Sequence, residues 1–240
     1  MKLPLIKGAT LAGILAFGAS SALAGDALTV VSWGGAYTKS QIEAYHKPYT
    51  AKYGTKIQSE DYNGGLAEIR AQVEAGKITW DVVDLEVSDA ARGCDDGLFE
   101  KISAGSLPNG VNGALPAKDF IPGALQECAV GTIVWSTIYA YDANKYKSKK
   151  PKTISDFFDT KKFPGKRGMR KVPKVNLEWA LMADGVDGRD VYKVLATKAG
   201  QDRAFKKLDT IKDDVLWWEA GAQPPQMLAD GEVVMTSAYN

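Results

Sequence analysis

Histidine is almost absent from this sequence: His46 is the only one in 240 residues. That excludes a His-rich metal centre, and any Ser-His-Asp system would depend on His46 alone. Cysteine is nearly as scarce, with only Cys94 and Cys128, and no pair of Cys or His has zinc-ligand spacing. No metal site is expected. Charge of one sign is also missing, since 30 Lys and Arg face 29 Asp and Glu. Nothing global therefore steers the chain to nucleic acid or an anionic membrane. No apolar run reaches the ~20 residues that span a bilayer. Neither a G-x-x-x-x-G-K-[ST] phosphate loop nor a G-x-G-x-x-G turn occurs, and Gly165-Lys166-Arg167-Gly168 reads as a basic turn. No cofactor is expected.

What remains is a folding composition, 45% hydrophobic and 25% charged, of a length for one large domain or two lobes. The first 24 residues read as an export leader: Lys2 and Lys7, an apolar stretch from Ala9 to Ala19, then the small-x-small site Ala22-Leu23-Ala24 with cleavage after Ala24. In an oxidising compartment a lone cysteine pair is most simply a disulfide, here Cys94–Cys128 across about 34 residues. A reactive thiol is the alternative.

Along the mature chain, strands are predicted at Leu28 to Val31, Lys56 to Glu60 and Asp81 to Leu85. Helices are predicted from Tyr37 to Tyr53, from Leu66 to Glu74, and through Ala90 and Ala91. This alternation argues for parallel βαβ units. Gly105 to Gly123 reads as loop. The β-branched and aromatic run Gly131 to Tyr141 is too long for an ordinary strand, and its length suits a strand leaving one lobe for another. The second half continues in α/β style. Helices are expected at Ile154 to Phe158, capped by Thr153 or Ser155, at Asn176 to Met182, at Asp202 to Ile211 with Phe205 and Leu208 on one face, and from Gln223 to Gly231. Strands are expected at Val215 to Trp218 and Val233 to Tyr239. Because the sequence stops just after a strand, it reads as an incomplete copy of a longer chain; an edge strand is the alternative.

Two patterns carry chemistry. Aromatics fall at the ends of predicted strands: Trp33 and Tyr37, then Trp217 and Trp218, then Tyr239. In open α/β sheets ligands bind outside the carboxyl ends of the strands. Acids gather at the same ends, with Asp84 and Glu86 after the third strand and Glu219 after Trp218; Asp89, Asp95 and Asp96 fit surface positions on a helix. Aromatic faces with carboxylates suit an amine cation. Against them stands a basic stretch, Lys145 to Lys174, with 12 Lys or Arg and 2 Asp. It reads as a solvated face or a docking face for a membrane partner.

The motifs Val31-Ser32-Trp33-Gly34-Gly35-Ala36-Tyr37, Trp80-Asp81-Val82-Val83-Asp84 and Gly231-Glu232-Val233-Val234-Met235 resemble the solute-binding proteins of ABC importers, most closely the spermidine/putrescine-binding group. The resemblance implies a two-lobe, type II periplasmic-binding-protein-like α/β fold, here incomplete at the C-terminus. Residues 25–134 would form the first lobe, 135–139 a hinge crossing strand and 140–240 the second lobe. It further implies a monomer in the periplasm that traps a small polar solute by lobe closure and delivers it to an ABC permease, without catalysis. Trp33, Tyr37 and Tyr239 match ligand-contacting aromatics, with Tyr37 one residue further along than the family pattern. The family's second-lobe acidic pair is replaced by Val172 and Val175, beside Arg170, Lys171 and Lys174, with Glu178 nearby. The ligand is therefore read as a polyamine-type cation held by Asp84, Glu86 and Glu219, or as an amino-acid-like or carboxylate solute held by Arg170. A secreted hydrolase working with carboxylates is the reading from another class.

Overall fold

A computed structural model describes residues 27–240; the leader predicted over 1–24 lies outside them. The chain builds two α/β lobes, each around its own sheet. In the first, β1 (Leu28–Ser32) pairs in parallel with β2 (Ile57–Asp61) and β3 (Val82–Val83), in the order β2-β1-β3. The second sheet has the order β4-β7-β5-β6, with β4 (Thr137–Tyr141), β5 (Arg167–Arg170), β6 (Val215–Trp218) and β7 (Met235–Tyr239). There β5 runs parallel to β6 and β7, while β4 is antiparallel to β7.

The helix after β1 begins at Gly35, two residues earlier than its apolar pattern indicates, because Gly34 at φ 78° makes the turn into it. It runs as α1 (Gly35–Gln41), a π turn (Ile42–His46) and α2 (Lys47–Tyr53). The π turn has a sequence cause. Pro48 has no N–H to give Ala44 and its ring crowds that carbonyl, so the helix widens just before it, with Lys47 N–H donating to Ile42 O. His46 is buried on this turn, its Nδ1 3.0 Å from Ser59 Oγ, and burial lowers its pKa. The lobe is completed by α3 (Ala67–Glu74), α4 (Val87–Asp95) and the short α5 (Pro116–Asp119), which lies in the segment read as loop. Cys94 and Cys128 form a disulfide with Cα atoms 5.7 Å apart, tying α4 to the segment that leads out of the lobe.

Of the long run from Gly131 to Tyr141, only Thr137–Tyr141 is strand, and that strand belongs wholly to the second sheet. Residues 131–136 form an irregular connector. The final strand is not at an edge: β7 lies between β4 and β5.

The second lobe contains α6 (Ile154–Phe158), α7 (Asn176–Ala183), α8 (Val191–Leu195), α9 (Lys198–Asp209) and α10 (Gln223–Ala229). Its core joins Phe157, Phe163, Met169, Leu181, Ile211 and Met235. On α9 the inward residues are Ala204 and Leu208, and Phe205 points out at 56% exposure, against the expected shared face. The supposed basic turn at Arg167 is a strand start. Arg167 is fully buried, and its guanidinium donates to the carbonyls of Phe157, Gly165, Asp159 and Phe163. Carbonyl acceptors for four of its five N–H groups are what allows an unpaired cation inside the lobe.

Candidate functional site

A cavity of about 1850 Å³ opens between the lobes and runs along the carboxyl ends of the first sheet. Trp33 enters it just after β1, its ring 5.4 Å from that of Tyr62 and tilted against it, and Tyr62 meets Trp80 edge-on at 5.6 Å. Gly64 lets this row close up. Its φ is +87°, and a Cβ there would lie 2.4 Å from the Trp33 ring. Burial, reinforced by Asp84, raises the Tyr62 hydroxyl far above its ordinary pKa, and that hydroxyl donates to the Asp84 carbonyl.

From the second lobe, β5 delivers Arg170. Its Nη1 lies 3.2 Å from Glu86 Oε1, its Nη2 donates to Asn63 O at 2.9 Å, and its guanidinium sits 5.4 Å from the Trp33 ring centroid. Arg170 and Glu86 are 13% and 15% exposed, so this ion pair is largely out of water. Lys174 adds a second cation, 2.5 Å from Glu86 Oε2, 2.9 Å from Ser88 Oγ and 3.4 Å from Asp89 Oδ2. Tyr239, at the end of β7, is held edge-on between Trp135 at 5.2 Å and Trp218 at 5.8 Å. Burial raises the Tyr239 hydroxyl, against the opposing pull of Arg170.

The geometry gathers Trp33, Glu86 and Tyr239 around Arg170. Tyr37 lines the same cavity from α1, its hydroxyl raised by burial beside Thr132. Asp84 also lines it, but its Oδ2 accepts from Ser32 Oγ at 2.7 Å and Gln41 Nε2 at 2.5 Å within the first lobe. Glu219 stands at the rim in an exposed pair with Lys171 at 3.3 Å. Asp89, read as a surface acid, is buried and accepts from Lys174 and Arg92. His46 and Ser59 do not line the cavity, and among the described residues no cluster of His, Cys, Asp and Glu could hold a metal.

Sequence reasoning missed the cross-cleft partnership of Glu86 with both Arg170 and Lys174. It also missed Tyr62, Asn63 and Trp135. A signal existed for the first: the acid-rich stretch after β3 and the basic stretch from Lys145 to Lys174 are opposite in sign, and part of each faces the other.

The family described as bacterial extracellular solute-binding protein matches residues 44–240. A gamma-aminobutyric acid-binding protein of Pseudomonas aeruginosa is 48% identical over 226 residues, 94% of this chain and 62% of that protein. The solved structure of the binding protein MotA of A. tumefaciens B6, in complex with glucopine, matches with TM-score 0.80 at 32% identity, over 89% of this chain and 64% of that one. A structure of the Atu4243 GABA receptor matches with TM-score 0.71 at 34% identity, over 89% and 62%. The chain thus spans a little under two thirds of the length of these relatives.

Proposed function

This chain belongs to the bacterial extracellular solute-binding protein family, and we propose that it captures a small zwitterion of the 4-aminobutanoate type between its lobes. Lobe closure about the connector at residues 131–136 brings Arg170 and Tyr239 of the second lobe onto Trp33 and Glu86 of the first. The captured solute is passed, unchanged, to an ABC permease from the periplasmic side of the membrane.

The observation that carries this reading is the Arg170–Glu86 pair itself. A guanidinium and a carboxylate meet 3.2 Å apart in a largely desolvated cleft. A solute with a carboxylate at one end and an ammonium at the other substitutes for each partner in turn: its carboxylate takes Arg170, its ammonium takes Glu86. Trp33 and Tyr239 then flank the connecting methylenes, and the ammonium gains a further ~0.5–2 kcal/mol from an aromatic face. The polyamine expectation gives way here. A diamine brings a second positive charge toward Arg170 and Lys174, and both Glu86 oxygens already hold cations. The relative named for gamma-aminobutyric acid, at 48% identity, supports the zwitterion.

Titration calorimetry on the purified chain tests this with 4-aminobutanoate, 1,4-diaminobutane and butanoate. Heat and saturation are expected with the first. Saturation by the diamine alone would overturn the reading.

A further inference from the structure

We propose that a lysine-covered loop at the far pole of the second lobe docks this chain on an anionic phospholipid surface. The proposal goes beyond solute capture and uses none of the groups in the cleft.

The loop joins β4 to α6 and carries Lys145, Lys147, Lys149, Lys150 and Lys152, five cations in eight positions with no acid among them. All five are exposed. Lys162, Lys166, Lys171 and Lys174, later in the same basic stretch, each reach an acid within 3.3 Å; among the described residues the five loop lysines reach none. The flanking acids are already engaged. Asp142 Oδ1 accepts from the Asn144 N–H at 2.8 Å, and Asp156 holds Lys162 and caps α6.

The backbone fixes this display. Tyr146 turns inward, its ring centroid 5.3 Å from that of Phe163, and its hydroxyl donates to Pro164 O at 3.0 Å. Pro151 is buried too, and the Lys152 N–H donates to Asp156 Oδ2 at 2.9 Å. Pinned at these points, the loop presents its lysines to solvent, and exposed Lys161 stands on the turn that Tyr146 clasps. Like charges set this close repel one another, so the cluster does nothing for the fold. Its position keeps the cleft free. Thr137 pairs with Tyr239 and Tyr141 with Met235, so β4 runs away from the cleft and delivers the loop to the opposite end of the sheet.

The residue types select among anionic partners. Lysine ammoniums are point charges suited to a diffuse field of phosphates, whereas carboxylates are met best by arginine's fork. No arginine lies between Asp142 and Pro164. Single-stranded nucleic acid needs aromatic platforms, and Tyr146, the one aromatic among the loop lysines, is turned into the core. What remains is a bilayer carrying anionic headgroups. The whole chain is close to neutral, at +1, so the attraction is local and turns this pole to the lipid. Docked there, the chain searches for a permease in the plane of the membrane.

The test is flotation of the purified chain with lipid vesicles in about 50 mM salt, where surface charges are weakly screened. Phosphatidylcholine vesicles with about 30% phosphatidylglycerol should carry the chain up, and pure phosphatidylcholine vesicles should not. Lys149→Gln with Lys150→Gln should lower the partition coefficient about 25-fold, about 5-fold for each lysine. Lys77→Gln with Lys118→Gln, the same charge removed from the first lobe, should change it little. Raising the salt to about 500 mM should abolish binding. Failure to bind the phosphatidylglycerol vesicles overturns the proposal. Equal losses in the two double variants also overturn it, since net charge would then be the cause. So does capture by a DNA duplex or by polyglutamate without vesicle binding, which would give the patch to a different polyanion.

Discussion

Arg170 and Glu86 lie 84 positions apart in the chain and 3.2 Å apart in space, each contributed by a different lobe. The pair joins the lobes through their charged ends, and Trp33 covers the guanidinium from one side. Breaking it by Arg170→Ala should lower affinity for 4-aminobutanoate about 10- to 100-fold, the range for a lost charge-assisted hydrogen bond. Arg170→Lys should recover little of this, because an ammonium cannot reproduce the forked geometry. Calorimetry measures both. Unchanged affinity in Arg170→Ala would remove Arg170 from the site.

Gly64→Ala should disturb the cleft without touching a charge. The added methyl meets the Trp33 ring, and the +87° backbone disfavours any side chain. A destabilisation of about 1–2 kcal/mol is expected from the backbone, with weakened solute binding as Trp33 moves. Denaturant melts and calorimetry on the same sample separate the two effects.

Asp156 closes a capping box on α6. It accepts from the backbone N–H groups of Lys152 and Thr153 at 2.9 and 3.1 Å, and from Lys162 Nζ at 2.6 Å. Burial pushes its pKa up, but these donors outweigh it and bring the value down to about 2. A depressed folded pKa means stabilisation that is complete above the unfolded value near 3.8 and lost as pH falls toward 2. Asp156→Asn should therefore cost about 1–2 kcal/mol at neutral pH. The gap between variant and wild type should narrow below about pH 4. Urea midpoints at pH 7, 4 and 2.5 check it.

Removing the Cys94–Cys128 bridge, by a double Ser variant, frees a loop of 34 residues in the unfolded chain. About 3–4 kcal/mol of stability should go with it, or about 6–16 °C in Tm. Thermal scans with and without reductant should agree for the variant and differ for the wild type.

Much of this architecture is legible in the residues. Val215–Trp218 and Ile154–Phe158 fall where β-branched and capping patterns place them, since local propensity and burial agree there. Arg167–Arg170 is not legible as a strand, because an arginine and a glycine open it. Only the carbonyls of the preceding segment, Phe157 to Gly165, curled back around the guanidinium by folding, make a buried Arg167 tolerable. Trp217 and Trp218 show the same limit. Adjacent strand residues face opposite ways, so one is half exposed and the other sealed, and sequence alone does not say which. The aromatic wall residues could be found from their position after strands. The pairing of Glu86 with Arg170 and Lys174 could not, because no local spacing links residues so far apart.

The antiparallel seam of β4 and β7 has a practical corollary. It sets Thr137 opposite Tyr239, and Ser136 N–H donates to Asn240 Oδ1 at 3.0 Å just beyond. The connector and the aromatic wall are therefore zipped into one rigid ribbon, with the Trp135 indole resting on the Tyr239 phenol. Swinging one swings the other, so the indole N–H resonance of Trp135, picked out from those of the other five tryptophans by Trp135→Phe, is a native gauge of how far the jaws have shut, readable without attaching any dye.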